Sequence, residues 1–225
     1  GKNKVLKFDD NFKQGFPDAY FRSGKYIFLF EIKDAYFSAA AVNSFSHIKI
    51  KEEIDKKYNT KKKGTGQIIK HLEKLTQSPF ENKSYRELKI KTRNLIIYPI
   101  IIYTSSIFQS PGFNKYLIEE FENKVNKNEN NLNNSFGQIK NLTFMSLSFL
   151  INNLSNADKF DFKDIIDNFH NKIKEIEKKH NKTNNLDLLH KSNNNFEYFS
   201  KKYLSKKNVD SSKPVFNEIV ETSKL

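Results

Sequence analysis

The chain has no cysteine in its 225 residues, and its apolar runs are short. The missing cysteines exclude disulfides, zinc–thiolate sites and cysteine nucleophiles, and a chain without them is typical of the cytoplasm. The longest apolar run, residues 95–103, has the length of a buried strand and is too short to span a membrane. The first residues are polar and charged, unlike a signal peptide, and Gly1 in place of Met indicates that upstream sequence is missing. The sequence therefore predicts a cytoplasmic protein without a membrane partner.

Positive charge is in large excess. The formal net charge is +13 and the pI is about 9.5, which favours polyanions as partners through long-range attraction and counterion release. The abundance of Lys, Asn, Ile and Phe is also typical of coding DNA rich in A and T. Charge alone therefore leaves nucleic-acid binding open.

Hydrophobic periodicity divides the chain into strands followed by alternating helices and strands. We predict strands over 16–21, Tyr26–Lys33 and 91–104, with Ser23 and Gly24 as a hairpin loop and Pro99 at a bulge or an edge. We predict helices over 66–76, 114–125 and 162–179, and a strand over 141–154 that becomes a helix near Ser146. This order predicts an α/β fold with a mixed central sheet flanked by helices. An Asn-rich linker and helical tail over 181–225 would follow a domain over 1–180.

The second predicted strand ends in charged residues after a very hydrophobic run. Side chains alternate along a strand, so Glu31 and Lys33 share a face. With a Ser23–Gly24 loop, Asp18 lies on that face as the diagonal neighbour of Glu31, roughly 7–8 Å away between backbones. Two carboxylates at this separation can reach one hard cation, which takes oxygen ligands. A three-residue loop would reverse the parity and separate them.

A purely structural interpretation competes with this site. Glu31 and Lys33 would then lie at the solvated end of a strand, and Asp18 would cap a turn after Pro17. The Glu-x-Lys tripeptide alone favours that interpretation, because such tripeptides are common. The combination of Pro17-Asp18, twelve intervening residues and Glu31-Ile32-Lys33 at the end of a hydrophobic strand favours the site.

This combination resembles the PD-(D/E)xK nuclease superfamily, which has the restriction-endonuclease-like fold. The resemblance covers about residues 8–104 and extends to Gln67, because many members place a Gln there beside the metal site. Those members often have a Tyr four residues later, where this chain has His71. Many also supply an acidic residue from a helix before the first strand, where this chain offers only Asp9 and Asp10.

The resemblance implies a catalytic set and a metal. Asp18, Glu31 and the backbone carbonyl of Ile32 would bind Mg²⁺ or Mn²⁺, and Lys33 and Gln67 would complete the catalytic residues. The implied activity is hydrolysis of phosphodiester bonds, of DNA by preference and with RNA as an open alternative, in restriction or anti-phage defence. The rival interpretation is a catalytically inert nucleic-acid-binding or scaffolding module inside a larger complex. Protein partners, upstream domains and a homo-oligomer are compatible with either.

Other candidate residues lie in and around a basic run. Lys61, Lys62 and Lys63 precede Gly64, and with Lys70 they are candidate phosphate contacts beside Gln67. The run lacks the Gly-Lys-Ser/Thr ending of a P-loop, and a solvated charge run remains the alternative. We interpret His47 and His71 as surface or DNA-facing groups, because their spacing is not that of a zinc site. Tyr58 is expected at the surface, with base stacking as the alternative.

Overall fold

The computed structural model describes most of the chain, which is divided into two compact units. Unit 1 comprises Gly1–Ile102 and Tyr116–Thr143, and unit 2 comprises Tyr103–Lys115 and Phe144–Leu225. The predicted division into residues 1–180 and 181–225 stays a prediction. The residues described are 4–9, 15–153, 159–184, 186–187, 191, 193–207 and 209.

The described residues form one mixed sheet of six strands. Strand order is β1-β2-β3-β4-β5, and β6 also pairs with β4. The first three strands are antiparallel, whereas β4 and β5 are parallel. The predicted α/β class, with a mixed sheet and flanking helices, is confirmed at this level. The strands are β1 Lys4–Phe8, β2 Ala19–Ser23, β3 Tyr26–Lys33, β4 Ile96–Tyr103, β5 Gln138–Ile139 and β6 Thr143–Ser146.

The β2–β3 hairpin carries the predicted site, and its loop differs from the prediction. Ser23 pairs with Tyr26, so the two loop residues are Gly24 and Lys25 rather than Ser23 and Gly24. Gly24 has φ of +61°, a conformation that favours glycine in a tight hairpin turn. The shift keeps a two-residue loop, and the parity of facing residues is therefore preserved.

A proline lies inside β4, the most hydrophobic strand. Ile97 pairs with β5, and its carbonyl accepts from the Lys140 N–H at 2.9 Å. By strand alternation Pro99 faces the same edge two residues later, and β5 ends at Ile139 before β6 begins at Thr143. The missing N–H of Pro99 therefore lies on the edge of β4 that pairs with β5, beyond the last β5 residue. The prediction of an edge strand is wrong, since β4 lies between β3 and β5, and the alternative prediction of a bulge stays a prediction.

The described part of the chain contains nine α-helices of four residues or more and two short 3₁₀ helices, Thr92–Asn94 and Ser106–Gln109. The predicted 66–76, 114–125 and 162–179 helices are confirmed with ends that differ by at most four residues, and α7 follows β6 directly, as predicted near Ser146. No described helix is long and apolar enough to cross a membrane. The helices are α1 Ala39–Asn43, α2 His47–Tyr58, α3 Thr65–Gln77, α4 Tyr85–Leu88, α5 Phe113–Asn126, α6 Leu132–Ser135, α7 Leu147–Asn153, α8 Phe162–Thr183 and α9 Phe196–Lys206.

Several of these helices have an N-cap residue, whose side-chain oxygen accepts a hydrogen bond from a backbone N–H of the first turn. Ser46 accepts from the Lys49 N–H at the start of α2, and Asn195 accepts from the Tyr198 N–H at the start of α9. Such caps satisfy backbone donors that have no partner inside the helix. The helical tail predicted from residue 181 is thus represented by the end of α8 and by α9, and residues 210–225 lie outside the described part.

Candidate active site

Glu31 is buried near the end of β3, although its chain neighbours suggest a solvated strand end. Only 1% of the residue is exposed, whereas Ile32 is 42% exposed. Ile27, Leu29 and Glu31 share the face that contacts α3, and all three are buried. The interpretation of Glu31 as part of a solvated strand end is therefore wrong.

Two nitrogen donors hold the Glu31 carboxylate. The Lys33 Nζ donates to Oε1, and the His71 Nε2 lies 3.0 Å from Oε2. The other ring nitrogen of His71, Nδ1, lies 3.2 Å from the carbonyl oxygen of Gly15. His71 thus lies between two acceptors, the Glu31 carboxylate and the Gly15 carbonyl. The carboxylate therefore has one partner in Lys33 within its own strand and another in His71 from the facing helix.

His71 is a site residue that the sequence analysis placed at the surface. It is 2% exposed, and the rings of Phe80 and His71 meet edge to face at 6.2 Å between centroids. Its position was available from the periodicity of α3, because His71 follows Ile68 by three residues and precedes Leu75 by four. A histidine on the apolar stripe of a helix is expected to be buried.

Asp18 lies at the start of β2, beside Glu31. The β2–β3 register pairs Ala19 with Phe30, so its continuation sets Asp18 directly opposite Glu31 rather than diagonal to it. The Ile32 N–H donates to Asp18 Oδ2 at 2.5 Å. Burial raises the pKa of Asp18 above its ordinary value and repulsion by Glu31 adds to this, against the opposing effects of the Ile32 N–H, Lys33 and His71. The structure thus brings Asp18, Glu31 and Lys33 together.

The side chains of Asp18 and Glu31 have the ligand chemistry that a hard divalent cation prefers. Asp18 and Glu31 offer carboxylate oxygens, and a cation would relieve the repulsion that helps raise the pKa of Asp18. The carbonyl of Ile32 is a further oxygen next to Glu31. Among the described residues, no group of three or more His, Asp or Glu side chains is arranged to hold a metal ion. The fit therefore rests on two carboxylates and backbone oxygen.

Comparisons with family models, curated proteins and solved structures give no match. The resemblance to the PD-(D/E)xK superfamily consequently depends on the residues and geometry of this chain alone, and it stays a prediction.

Gln67 caps its helix, whereas the resemblance puts it beside the carboxylates. Its Oε1 accepts from the Gly64 N–H at 3.1 Å, at the N-terminus of α3. The side chain that reaches Glu31 from α3 is instead that of His71, one turn later. Gln67 and His71 nevertheless line a common cavity of about 720 Å³.

The predicted phosphate-contacting lysines divide between two cavities of unit 1. Lys62 and Lys70 line the cavity that contains Gln67 and His71, together with Lys74. Lys61 and Lys70 line a second cavity against α5. Lys63 is exposed, and its N–H donates to the Thr60 carbonyl in a turn. Lys62 and Lys70 thus share a cavity with His71, which Asp18, Glu31 and Lys33 do not line.

The loop that carries these lysines is held in place by hydrogen bonds from α5. Lys124 of α5 donates to the Asn59 carbonyl and to Thr65 Oγ1, each at 2.7 Å. Burial lowers the pKa of Lys124. Tyr58 is fully buried. The predictions that it lies at the surface or stacks on a base are therefore wrong. The loop is therefore a fixed connection and Lys124 a structural residue within it.

A second polar cluster on the same face of the sheet was missed from the sequence. Arg22 is 2% exposed, and its Nη2 donates to Glu81 Oε2 at 2.8 Å. The Tyr20 hydroxyl donates to the other oxygen of Glu81 at 2.9 Å. Burial by itself raises the pKa of Glu81, but the bonds from Arg22 and Tyr20 outweigh it and hold that pKa below its ordinary value. This cluster fixes the segment that carries Phe80 against His71.

Proposed function

We propose that the chain is a metal-dependent nuclease that hydrolyses phosphodiester bonds, with DNA as the main substrate. The observation that carries the proposal is the convergence of Asp18, Glu31 and Lys33 at one point of a hydrophobic sheet face. Buried charges of this kind are costly unless they are paired, and apolar residues of similar volume would serve folding equally well. A cluster that folding does not require supports a catalytic role.

Each residue has a task in this proposal. Asp18, Glu31 and the carbonyl of Ile32 would hold Mg²⁺ or Mn²⁺, which when bound activates water and stabilises charge on a phosphate. The Lys33 ammonium stabilises negative charge that develops on the phosphate oxygens. His71 holds Oε2 of Glu31 in a fixed direction from the opposite side. Gln67 keeps α3, and so His71, in position through its bond to Gly64.

The cavity beside His71 supports nucleic acid as the substrate. Lys62, Lys70 and Lys74 line it, and lysine side chains contact the phosphate backbone without reading sequence. The net charge of +13 acts in the same direction. A role in restriction or anti-phage defence stays a prediction.

The second candidate function is a catalytically inert nucleic-acid-binding or scaffolding module. The observation that favours it is that both oxygens of Glu31 already have partners in Lys33 and His71. A carboxylate with a partner at each oxygen is a stable structural group without a metal. The nuclease requires that the Glu31 carboxylate gives up one of these two partners to bind a cation, and the inert module does not.

A cleavage assay with three arms separates the two functions. Supercoiled plasmid, linear duplex and single-stranded RNA are incubated with the full chain and Mg²⁺, Mn²⁺ or EDTA. We expect cleavage of DNA with metal, none with EDTA, and none with Glu31→Ala. Glu52→Ala, which removes an exposed carboxylate from α2, is the matched control and should cleave as the wild type does. Binding of DNA without cleavage under every metal condition would reject the nuclease in favour of the inert module.

A further inference from the structure

A groove in unit 2 lies between α8 and α9, outside the candidate active site. Its volume is about 430 Å³, which is in the range of ligand-binding clefts. Ile173 and Ile176 lie on the apolar face of α8, four and seven residues after Phe169, but both remain half-exposed and line this groove. The α8–α9 groove is lined by Phe169, Lys172, Ile173, Ile176, Lys191, Asn194, Tyr198, Phe199, Lys202, Tyr203 and Lys206.

Every charged side chain among these lining residues is a lysine. Lys172 comes from α8, Lys202 and Lys206 come from α9, and Lys191 lies between the two helices. Lys172 donates to Glu175 at 2.9 Å, and Glu175 also accepts from Lys179. Glu175 is not part of the lining. Four ammonium groups around an apolar floor favour an anionic ligand with apolar or aromatic parts.

Aromatic rings form much of the floor. Phe199 and Tyr203 stack at 5.8 Å between centroids with an angle of 26°, and Phe169 lies 5.5 Å from Phe199. Tyr198 is 60% exposed at the start of α9 and presents its ring at the groove. An exposed aromatic ring beside lysines is the combination with which proteins bind unpaired bases, since every base has a face that stacks.

We propose that the α8–α9 groove binds single-stranded nucleic acid. A base stacks on the ring of Tyr198, and the phosphates on either side of it contact Lys202, Lys206 and Lys172. Duplex DNA has its bases stacked on each other and offers no free face to Tyr198, so the groove discriminates by strandedness. The inference names the substrate class of the proposed nuclease and rests on the proposed function in that respect.

An acidic amphipathic helix is the other occupant that the groove could accept. Its apolar face would pack on the groove floor, and its carboxylates would pair with the lysines. The observations favour nucleic acid, because the most exposed apolar surface of the lining is the ring of Tyr198, whereas the aliphatic side chains of Ile173 and Ile176 are only half-exposed. The acidic helix therefore enters the experiment as a competing probe.

The first experiment uses a fluorescent reporter. The chain contains no Trp, so Tyr198→Trp introduces a single indole that keeps a stacking ring at the groove. The full-length variant is titrated with oligothymidylate, with a hairpin duplex of equal charge and with an acidic amphipathic peptide, all in EDTA to prevent cleavage. We expect quenching by oligothymidylate at lower concentration than by the duplex, and none by the peptide. Quenching by the peptide in preference to oligothymidylate overturns the proposal.

The second experiment measures affinity with labelled oligothymidylate. Tyr198→Ala should weaken binding by about fivefold to about a hundredfold, the range found when one stacked base loses its ring. Lys202→Glu should lower the slope of log affinity against log salt by about 0.7, the value for one phosphate contact on a single strand. Lys201→Glu is the matched control, because the neighbouring lysine does not line the groove. Equal effects of Lys201→Glu and Lys202→Glu, or unchanged affinity of Tyr198→Ala, overturn the proposal.

The two proposals fail in distinguishable ways. Metal-dependent cleavage by the Tyr198→Trp variant, without any change of its indole fluorescence on adding oligothymidylate, overturns the groove and leaves the nuclease standing. Quenching of the indole by oligothymidylate in a Tyr198→Trp variant that keeps Glu31 but cleaves no substrate with either metal supports the groove and rejects the nuclease.

Discussion

At the scale of single residues, the burial of the Glu31 carboxylate is costly, and its neighbours offset that cost. Its side chain is 1% exposed, and a buried carboxylate without partners costs several kcal/mol. The Lys33 ammonium donates to one oxygen from the same strand face, and His71 contacts the other oxygen from α3. Both are needed because each covers a different oxygen. Loss of either partner leaves an uncompensated acceptor inside the fold.

His71 offers a direct test of this interpretation. His71→Ala removes the ring nitrogens that contact Glu31 Oε2 and the Gly15 carbonyl, and we expect it to lower the free energy of unfolding by about 1–3 kcal/mol. The exposed His47→Ala should change it by less than about 0.5 kcal/mol. Urea unfolding of both variants measures the difference. Equal stability of the two variants would mean that His71 does not hold Glu31.

The sequence predicts three of the site residues and misplaces two others. Asp18, Glu31 and Lys33 follow from strand alternation, which fixes the face of a side chain whatever else contacts the sheet. The role of His71 depends on which face of α3 meets β3, and that is a tertiary contact. Gln67 could satisfy either the carboxylates or the helix N-terminus, and the nearby Gly64 N–H is its partner. Local pattern alone does not decide between such partners.

At the scale of elements, the connection between α2 and α3 is the most constrained segment near the site. Gly64 has φ of +55°, and a Cβ there would lie 2.1 Å from the Tyr58 carbonyl oxygen. Lys124 fixes the same connection through Asn59 and Thr65. The glycine of the basic run is therefore required by close backbone approach, whereas its lysines remain exposed.

Gly64→Ala is accordingly expected to be costly. Gly24→Ala is the matched control, because Gly24 also has positive φ (+61°) but nothing lies within 4 Å of an added Cβ. The control should lose about 1–2 kcal/mol from backbone strain, and Gly64→Ala should lose about 1–3 kcal/mol more from the clash. Thermal and urea unfolding provide the measurement. A smaller loss in Gly64→Ala than in Gly24→Ala would contradict the packing of this loop.

Long elements with clear periodicity could be predicted, and short ones could not. The sequence predicts β3, α3, α5 and α8 because many residues repeat one pattern. Strand β2 was predicted to start three residues early and to end two residues early. Strand β1 was not predicted, because it is stabilised by its pairing with β2 rather than by its own composition. The four-residue helix α6 lies in an Asn-rich stretch predicted as a loop. Tertiary contacts decide such elements.

At the scale of the whole molecule, the sheet fixes both polar clusters on one face. Tyr20 and Arg22 of β2 share the parity of Asp18, and Glu81 holds the segment beside Phe80 to them. The sequence predicts the α/β class and the positive charge, but not Glu81, because nothing local links it to a strand 59 residues earlier. Long-range pairs of this kind require the folded chain.

The Arg22–Glu81 pair predicts an acid-sensitive contribution to stability. The pKa of Glu81 is held below its ordinary value of 4.5, so the folded state favours the charged carboxylate. Its contribution is complete above about pH 4.5 and is lost as the pH falls through the lowered pKa. The difference in free energy of unfolding between wild type and Glu81→Gln should therefore be largest near neutral pH and shrink below about pH 4.5.

Urea unfolding across this pH range measures the difference, with Glu119→Gln on the exposed side of α5 as the matched control. A gap between wild type and Glu81→Gln that widens on acidification would contradict the pairing of Glu81 with Arg22.

The most direct test of the proposed activity is the single-turnover cleavage rate of Lys33→Gln at saturating protein with Mg²⁺ or Mn²⁺. Gln keeps a donor for Glu31 and removes the charge, so the variant separates catalysis from folding. Lys25→Gln on the same hairpin, where the lysine is exposed, is the control. We predict that Lys33→Gln binds DNA as wild type does and cleaves it about 10²–10³ times more slowly, while Lys25→Gln cleaves at the wild-type rate. A folded Lys33→Gln variant that cleaves DNA at the wild-type rate would contradict the account.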